Sequence, residues 1–180
     1  YSKGTIDILE MLLAYPDLAE RVAAVVSVAS PIFGSPLAAE SRWLYDALLW
    51  KAAPGRCDPG DGGVIDSLLP EARRRWMAEN RLPAGIRYFS IAALPHGDRV
   101  ALALKPSWRK LSRTNKLNDG QIVAAHALIP RSTLLAYPNA DHWGIALQVE
   151  SDLPHLVARK DRTAFPQREF IEAILLYVEE

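Results

Sequence analysis

Cysteine is almost absent: Cys57 stands alone among 180 residues. A single thiol closes no internal disulfide, which excludes a disulfide-stapled scaffold and leaves the compartment open. Long apolar runs are also missing. The longest predominantly apolar stretch, Val22 to Val28, has the length of a strand, far short of the roughly 20 residues a membrane helix needs. Net charge is missing as well, because 21 basic residues balance 21 acidic ones. No broad field therefore draws in nucleic acid or anionic lipid. The densest basic run, Arg73-Arg74-Arg75, is flanked by Glu71 and Glu79 and is expected to be a solvated helix face. Repeats and low-complexity tracts are absent, and the His and Cys residues lack the spacing of a zinc site. The chain opens Tyr1-Ser2-Lys3-Gly4, with no initiator Met, signal peptide or leading strand. That start is expected of the carboxyl-terminal part of a longer protein.

What is present alternates between two periodicities. Thr5 to Tyr15 places Ile6, Leu9, Leu12 and Leu13 at helical spacing, and Pro16 ends the run. Val22 to Ser30 is a run of small and β-branched apolar residues without alternation, as in a parallel strand buried on both faces. Ile86 to Leu94 and Ser132 to Tyr137 read as two further strands. Gln121 to Leu128 reads as a short helix, and Phe165 to Val178 as a terminal helix with Phe170, Ile171, Ile174, Leu175 and Val178 on one face. Residues 95 to 118 are irregular and basic. Strands alternating with helices predict an α/β domain with a mostly parallel sheet. Residues 35 to 82 differ in texture: Ala38 to Trp50 and Glu71 to Asn80 are helical in pattern, around a Gly-, Pro- and Asp-rich loop from Pro54 to Gly63. This stretch is too long for a simple connection and is expected to be a helical insertion within a single domain.

Three residues could carry chemistry together. Ser2 precedes Gly4 by two positions at the start of a helix. Serine becomes a nucleophile when a base takes its proton, although a serine at that place can equally be a helix cap. His142 leaves the third strand in the segment Asn139-Ala140-Asp141-His142. The carboxyl end of a parallel strand is where such sheets put reactive groups, and imidazole suits base work near neutrality. Asp119, within Asn118-Asp119-Gly120, could accept the imidazole N–H and fix its tautomer. The same tripeptide is strong turn chemistry, and the two readings are compatible. Asp98 is the rival acid. Asp141 adjoins His142, and neighbouring side chains on extended backbone point apart. The three favoured residues stand in the order Ser, Asp, His, each after its own strand, with the strand before Ser2 expected upstream of this sequence.

Tyr1-Ser2-Lys3-Gly4 resembles a Gly-x-Ser-x-Gly nucleophile elbow without its first glycine. Val25 to Ala38 (VVSVASPIFGSPLA) resembles the strand and loop that follow the elbow helix in lipase- and esterase-like α/β-hydrolases. Asn118-Asp119-Gly120-Gln121 and Asn139-Ala140-Asp141-His142-Trp143 resemble their acid and histidine loops. The resemblance covers most of the chain. It implies Ser2 as nucleophile, Asp119 as acid, His142 as base and the Lys3 backbone N–H as one oxyanion donor, with the second donor on a loop outside this sequence. It implies hydrolysis of a small-molecule or lipid ester through an acyl-enzyme, a reaction that calls for no metal or organic cofactor. Residues 35 to 82 would be a lid or cap, whose Trp43, Tyr45, Trp50 and Trp76 either line an acyl pocket or belong to the core. Lysine after the serine is a departure from the usual methionine or glutamine. Acyl transfer to another acceptor, thioester cleavage and an inactive binding module are the alternatives.

Overall fold

A computed structural model describes residues 1–40, 62–147 and 165–179. Its regular elements, in chain order, are α1 (Lys3–Ala14), α2 (Pro16–Ala19), β1 (Ala24–Val28), α3 (Gly63–Asp66), α4 (Pro70–Glu79), β2 (Arg87–Ile91), α5 (Lys105–Leu111), β3 (Thr133–Ala136) and α6 (Gln167–Glu179). Short 3-10 turns at Gly97–Arg99, Leu102–Leu104 and Ala124–Ala127 lie between β2 and β3. The expected helix Gln121 to Leu128 is therefore only a turn. Ser35 Oγ donates to the Gln121 carbonyl, and Asn118 and Val123 form an antiparallel bridge. Those ties hold Gln121 to Val123 out of a helix, which leaves only the 3-10 turn from Ala124.

Among the described residues the sheet has three parallel strands in the order β1-β2-β3. Val26 pairs with Phe89 and Ser90 with Leu134. Parallel pairing aligns the carboxyl ends of all three strands at one edge, and the loops leaving that edge carry the chemistry described below.

Both sheet faces are covered by helices. Successive side chains of a strand point to opposite sides. Val25 accordingly packs with Leu9 and Leu12 of α1 and with Trp76 and Met77 of α4. Val26 and Val28 pack on the other side, with Phe170 and Ile174 of α6. The burial is uneven, however. β1 alternates half-buried and buried positions, so the expectation of a strand buried on both faces is too strong there. Thr133 and Leu134 of β3 are exposed. On α6, Phe170, Ile174 and Val178 form an i, i+4, i+8 row that is half-buried, whereas Ile171 and Leu175, about 100° around the helix, are each 54% exposed. The anticipated single apolar face thus splits into a packed stripe and an uncovered one.

Arg73 corrects the expectation for the basic run. Arg74 and Arg75 are exposed, but Arg73 is 2% exposed. Helical geometry puts residue 73 on the same side as Trp76 and Met77, which face the core. Its guanidinium donates to Glu10 of α1 at 2.9 Å and toward the Ile32 carbonyl at 3.4 Å, and stacks 4.6 Å from the Trp76 ring centre. Trp76 accordingly packs with the core residues beneath α1. Trp43, Tyr45 and Trp50, with the expected helix from residue 41 onward, lie outside the described residues.

Gly34 is where α4 meets the loop after β1. Its φ is +78°, and a Cβ there would sit 2.7 Å from the Leu68 carbonyl oxygen and from Pro70 Cα and N. Those neighbours are backbone and cannot swing aside, and a side chain at that φ is strained in its own right. Gly34→Ala in the full-length protein is expected to destabilise folding by on the order of 2 kcal/mol, measured by chemical denaturation; an unchanged midpoint contradicts this packing.

Candidate active site

Ser2 sits on the turn into α1 with φ 50° and ψ −132°, a left-handed conformation that L-residues avoid. The turn is held by its own hydrogen bonds. Ser2 N–H donates to the Val28 carbonyl at the end of β1 (3.0 Å), and Gly4 N–H donates back to Tyr1 (3.0 Å). Below it, Thr5 and Ser30 share a buried hydroxyl–hydroxyl bond of 2.6 Å. Ser2 is the residue before the helix, yet its hydroxyl makes no cap bond. Oγ is directed instead to His142 Nε2, 3.1 Å away. The helix-cap explanation of this serine is thereby removed. Gly4 is not crowded by the described residues, since a Cβ there would meet nothing within 4 Å.

His142 and Asp119 are both 2% exposed. His142 Nδ1 lies 2.8 Å from Asp119 Oδ2. A carboxylate only accepts, which puts the ring hydrogen on Nδ1 and leaves Nε2 to accept from the serine hydroxyl. The other carboxylate oxygen of Asp119 takes the N–H groups of Gln121 (2.9 Å) and Ile122 (2.6 Å). The Asp119 carbonyl accepts the His142 N–H at 2.9 Å. Asn-Asp-Gly is also the turn its composition predicts. Asn118 Oδ1 accepts the Gly120 N–H at 3.0 Å, and Gly120 has φ +96°. Asp98 lies exposed on a 3-10 turn, and the imidazole meets Asp119.

The remaining candidates separate cleanly. Lys3 begins α1, so its N–H has no acceptor within the helix. Its side chain is paired with Asp7 one turn along, which carries the ammonium away from Ser2. His96 is exposed, and its backbone N–H donates to Asn139. His126 places a ring nitrogen 3.1 Å from the Gly34 carbonyl, a tether between loops. His155 lies outside the described residues.

Two residues make contacts that the sequence does not announce. Asp141 is 2% exposed and accepts N–H bonds from Ala101 (2.6 Å) and Gly144 (2.7 Å), fastening the histidine loop to the segment after β2. Tyr1 donates from its hydroxyl to the His142 carbonyl at 2.6 Å. Neither has a spacing signal, because each acts across loops that meet only in the fold.

A cleft of about 310 Å³ opens beside Ser2. Leu37, Ala38, Ile65, Leu68 and Ile122 give it apolar walls, while Ser35, Ser107 and Gln121 supply polar groups. Its size is at the small end of ligand pockets. Among the described residues there is no cluster of His, Cys, Asp and Glu able to hold a metal ion, and no helix long and apolar enough to cross a membrane.

No protein family and no curated protein sequence matches the chain. Among solved structures it is similar to a metagenomic carboxyl esterase, with 43% identity and a TM-score of 0.87 over 99% of this chain and 54% of that one. It is also similar to a Bacillus licheniformis lipase in its mature form, at 25% identity and a TM-score of 0.59 over 79% of this chain and 56% of that one. A Staphylococcus hyicus lipase shares the fold, at 13% identity and a TM-score of 0.56. The chain spans little more than half the length of these proteins.

Burial raises the Asp141 carboxyl above its ordinary 3.8, partly opposed by the N–H bonds it accepts. A carboxyl that holds its proton more tightly when folded favours folding below its ordinary value, and that contribution is lost as pH rises through the raised one. Asp141→Asn removes this group. The stability advantage of the wild type over Asp141→Asn is therefore expected to be largest near pH 4 or below and to shrink toward neutrality, as read from unfolding midpoints across pH; an advantage that grows with pH contradicts it.

Proposed function

We propose that this chain, which shares the α/β-hydrolase fold of carboxyl esterases and lipases, carries the catalytic triad Ser2, Asp119 and His142 of a carboxylic ester hydrolase. The observation that supports this most is the unbroken relay from Ser2 Oγ to His142 Nε2 at 3.1 Å and from His142 Nδ1 to Asp119 at 2.8 Å. The similarity to a carboxyl esterase at 43% identity supports the same reading.

The chemistry follows from these distances. His142 Nε2 takes the hydroxyl proton as Ser2 Oγ attacks the ester carbonyl. Asp119 holds the tautomer and stabilises the imidazolium. Negative charge gathers on the carbonyl oxygen, and the Lys3 N–H, which has no acceptor within α1, is suited to receive it, aided by the positive end of the helix dipole. The tetrahedral centre collapses, its bond to the alkoxy oxygen breaks, and the alcohol leaves with the proton from His142. Water then enters through the same base, and the acid is released from Ser2. The acyl group would lie in the cleft between Leu37, Ile65 and Leu68. Those walls come from the two ends of residues 35 to 82, which supports the reading of that segment as a lid or cap over the site.

In the full-length protein, Ser2→Ala is expected to lower kcat for a chromogenic ester by roughly 10⁴-fold or more, with the melting temperature nearly unchanged. Asp119→Asn should cost on the order of 10⁴-fold by stabilising the wrong tautomer, and Asp98→Asn little. A severe Asp98→Asn beside a mild Asp119→Asn reverses the acid assignment.

A further inference from the structure

Tyr1 immediately precedes the strained serine, and its side chain crosses to the histidine loop. Its hydroxyl donates to the His142 backbone carbonyl at 2.6 Å. Its ring centre lies 5.2 Å from that of the imidazole, tilted by 37°. The backbone N–H of His142 is taken by the Asp119 carbonyl, and the ring Nδ1 by the Asp119 carboxylate. Asp119 therefore sets the histidine's height and tautomer from one side. Nothing in that pair fixes its distance from the nucleophile, which sits on a different loop.

We propose that Tyr1 is a positioning residue for His142, gauging the gap between imidazole and Ser2 Oγ because the clamp on the base and the nucleophile are consecutive residues of one turn. The turn cannot flex easily, since Ser2 is pinned by its bond to Val28 and by its own left-handed φ. The clamp and Oγ therefore move together. Burial, with the nearby carboxylates of Asp119 and Asp141, raises the phenol well above its ordinary value, so the hydroxyl remains a donor in alkaline solution. The ring contributes a second effect. Its ring centre, 5.2 Å from that of the imidazole, is within the distance at which aromatic rings attract cations, and the imidazole becomes positive during the reaction. This inference rests on the triad reading above.

The test uses the full-length enzyme and a chromogenic short-chain ester, with active sites titrated so that kcat is expressed per competent site. Tyr1→Phe keeps the ring and removes the clamp. Its kcat per titrated site is expected to fall on the order of tenfold with KM within about twofold, because proton transfer suffers and ester binding does not. Tyr1→Leu removes clamp and ring and should lose at least as much. A merely structural role predicts something else: fewer competent sites or a lower melting temperature, with kcat per titrated site unchanged in both variants, and that result overturns the proposal. Ser2→Ala in the same assay separates the two ideas. If it retains the wild-type rate, the triad reading itself has failed. If it is inactive while Tyr1→Phe is normal, only the role of Tyr1 has failed.

Discussion

The buried carboxylate of Asp119 is the interaction on which the site depends. One oxygen gathers the N–H groups of Gln121 and Ile122, the other meets His142 Nδ1, and the residue's own carbonyl takes the His142 N–H. A carboxylate at 2% exposure is costly unless its lone pairs are filled. Here three donors fill them, and two of those are backbone groups of its own turn. The third joins that turn to the loop after β3. Satisfying a buried charge and orienting an imidazole are therefore the same contact. Asp141 repeats the device on a smaller scale, by fastening the histidine loop to Ala101.

Parallel pairing turns these local contacts into a site. β1, β2 and β3 end at one edge, so a serine anchored to Val28, an acid in the segment after β2 and a histidine beyond β3 emerge side by side despite separations of up to 140 residues. The backbone there is strained. Ser2 and Ala29 both have positive φ, at a cost of roughly 1–3 kcal/mol each. The bonds from Ser2 to Val28 and from Ala29 to Ile91 hold those conformations. Below them Ile6, Leu9 and Leu12 are buried almost completely, and each such side chain contributes about 1.5–3 kcal/mol. A packed helix can thus carry a strained residue at its tip, where the Ser2 hydroxyl meets His142.

Much of this was legible in the sequence because it follows from local pattern. The spacing of Ile6, Leu9 and Leu12 marks α1, the apolar run at Val22 to Ser30 marks β1, and the order of Ser2, Asp119 and His142 along alternating elements fits a parallel sheet. Asn-Asp-Gly announced a turn and could also announce an acid. What was not legible depends on partners distant in the chain. Arg73 looked solvated because its run is charged, and only its place opposite Glu10 and against Trp76 shows it buried. Trp76 could line a pocket, although such an aromatic is more often core, and its packing against the core beneath α1 puts it there. Tyr1 and Asp141 carried no signal, since the carbonyl and amides they engage have no sequence signature.

The proposed mechanism stands or falls on Ser2 being an activated nucleophile. The most direct measurement is reaction of the full-length protein with a fluorophosphonate probe followed by peptide mass mapping. A single phosphonylated residue, Ser2, is expected, with loss of labelling in His142→Ala. Absence of label at Ser2 in a demonstrably folded protein contradicts it, and leaves the geometry as that of a binding module.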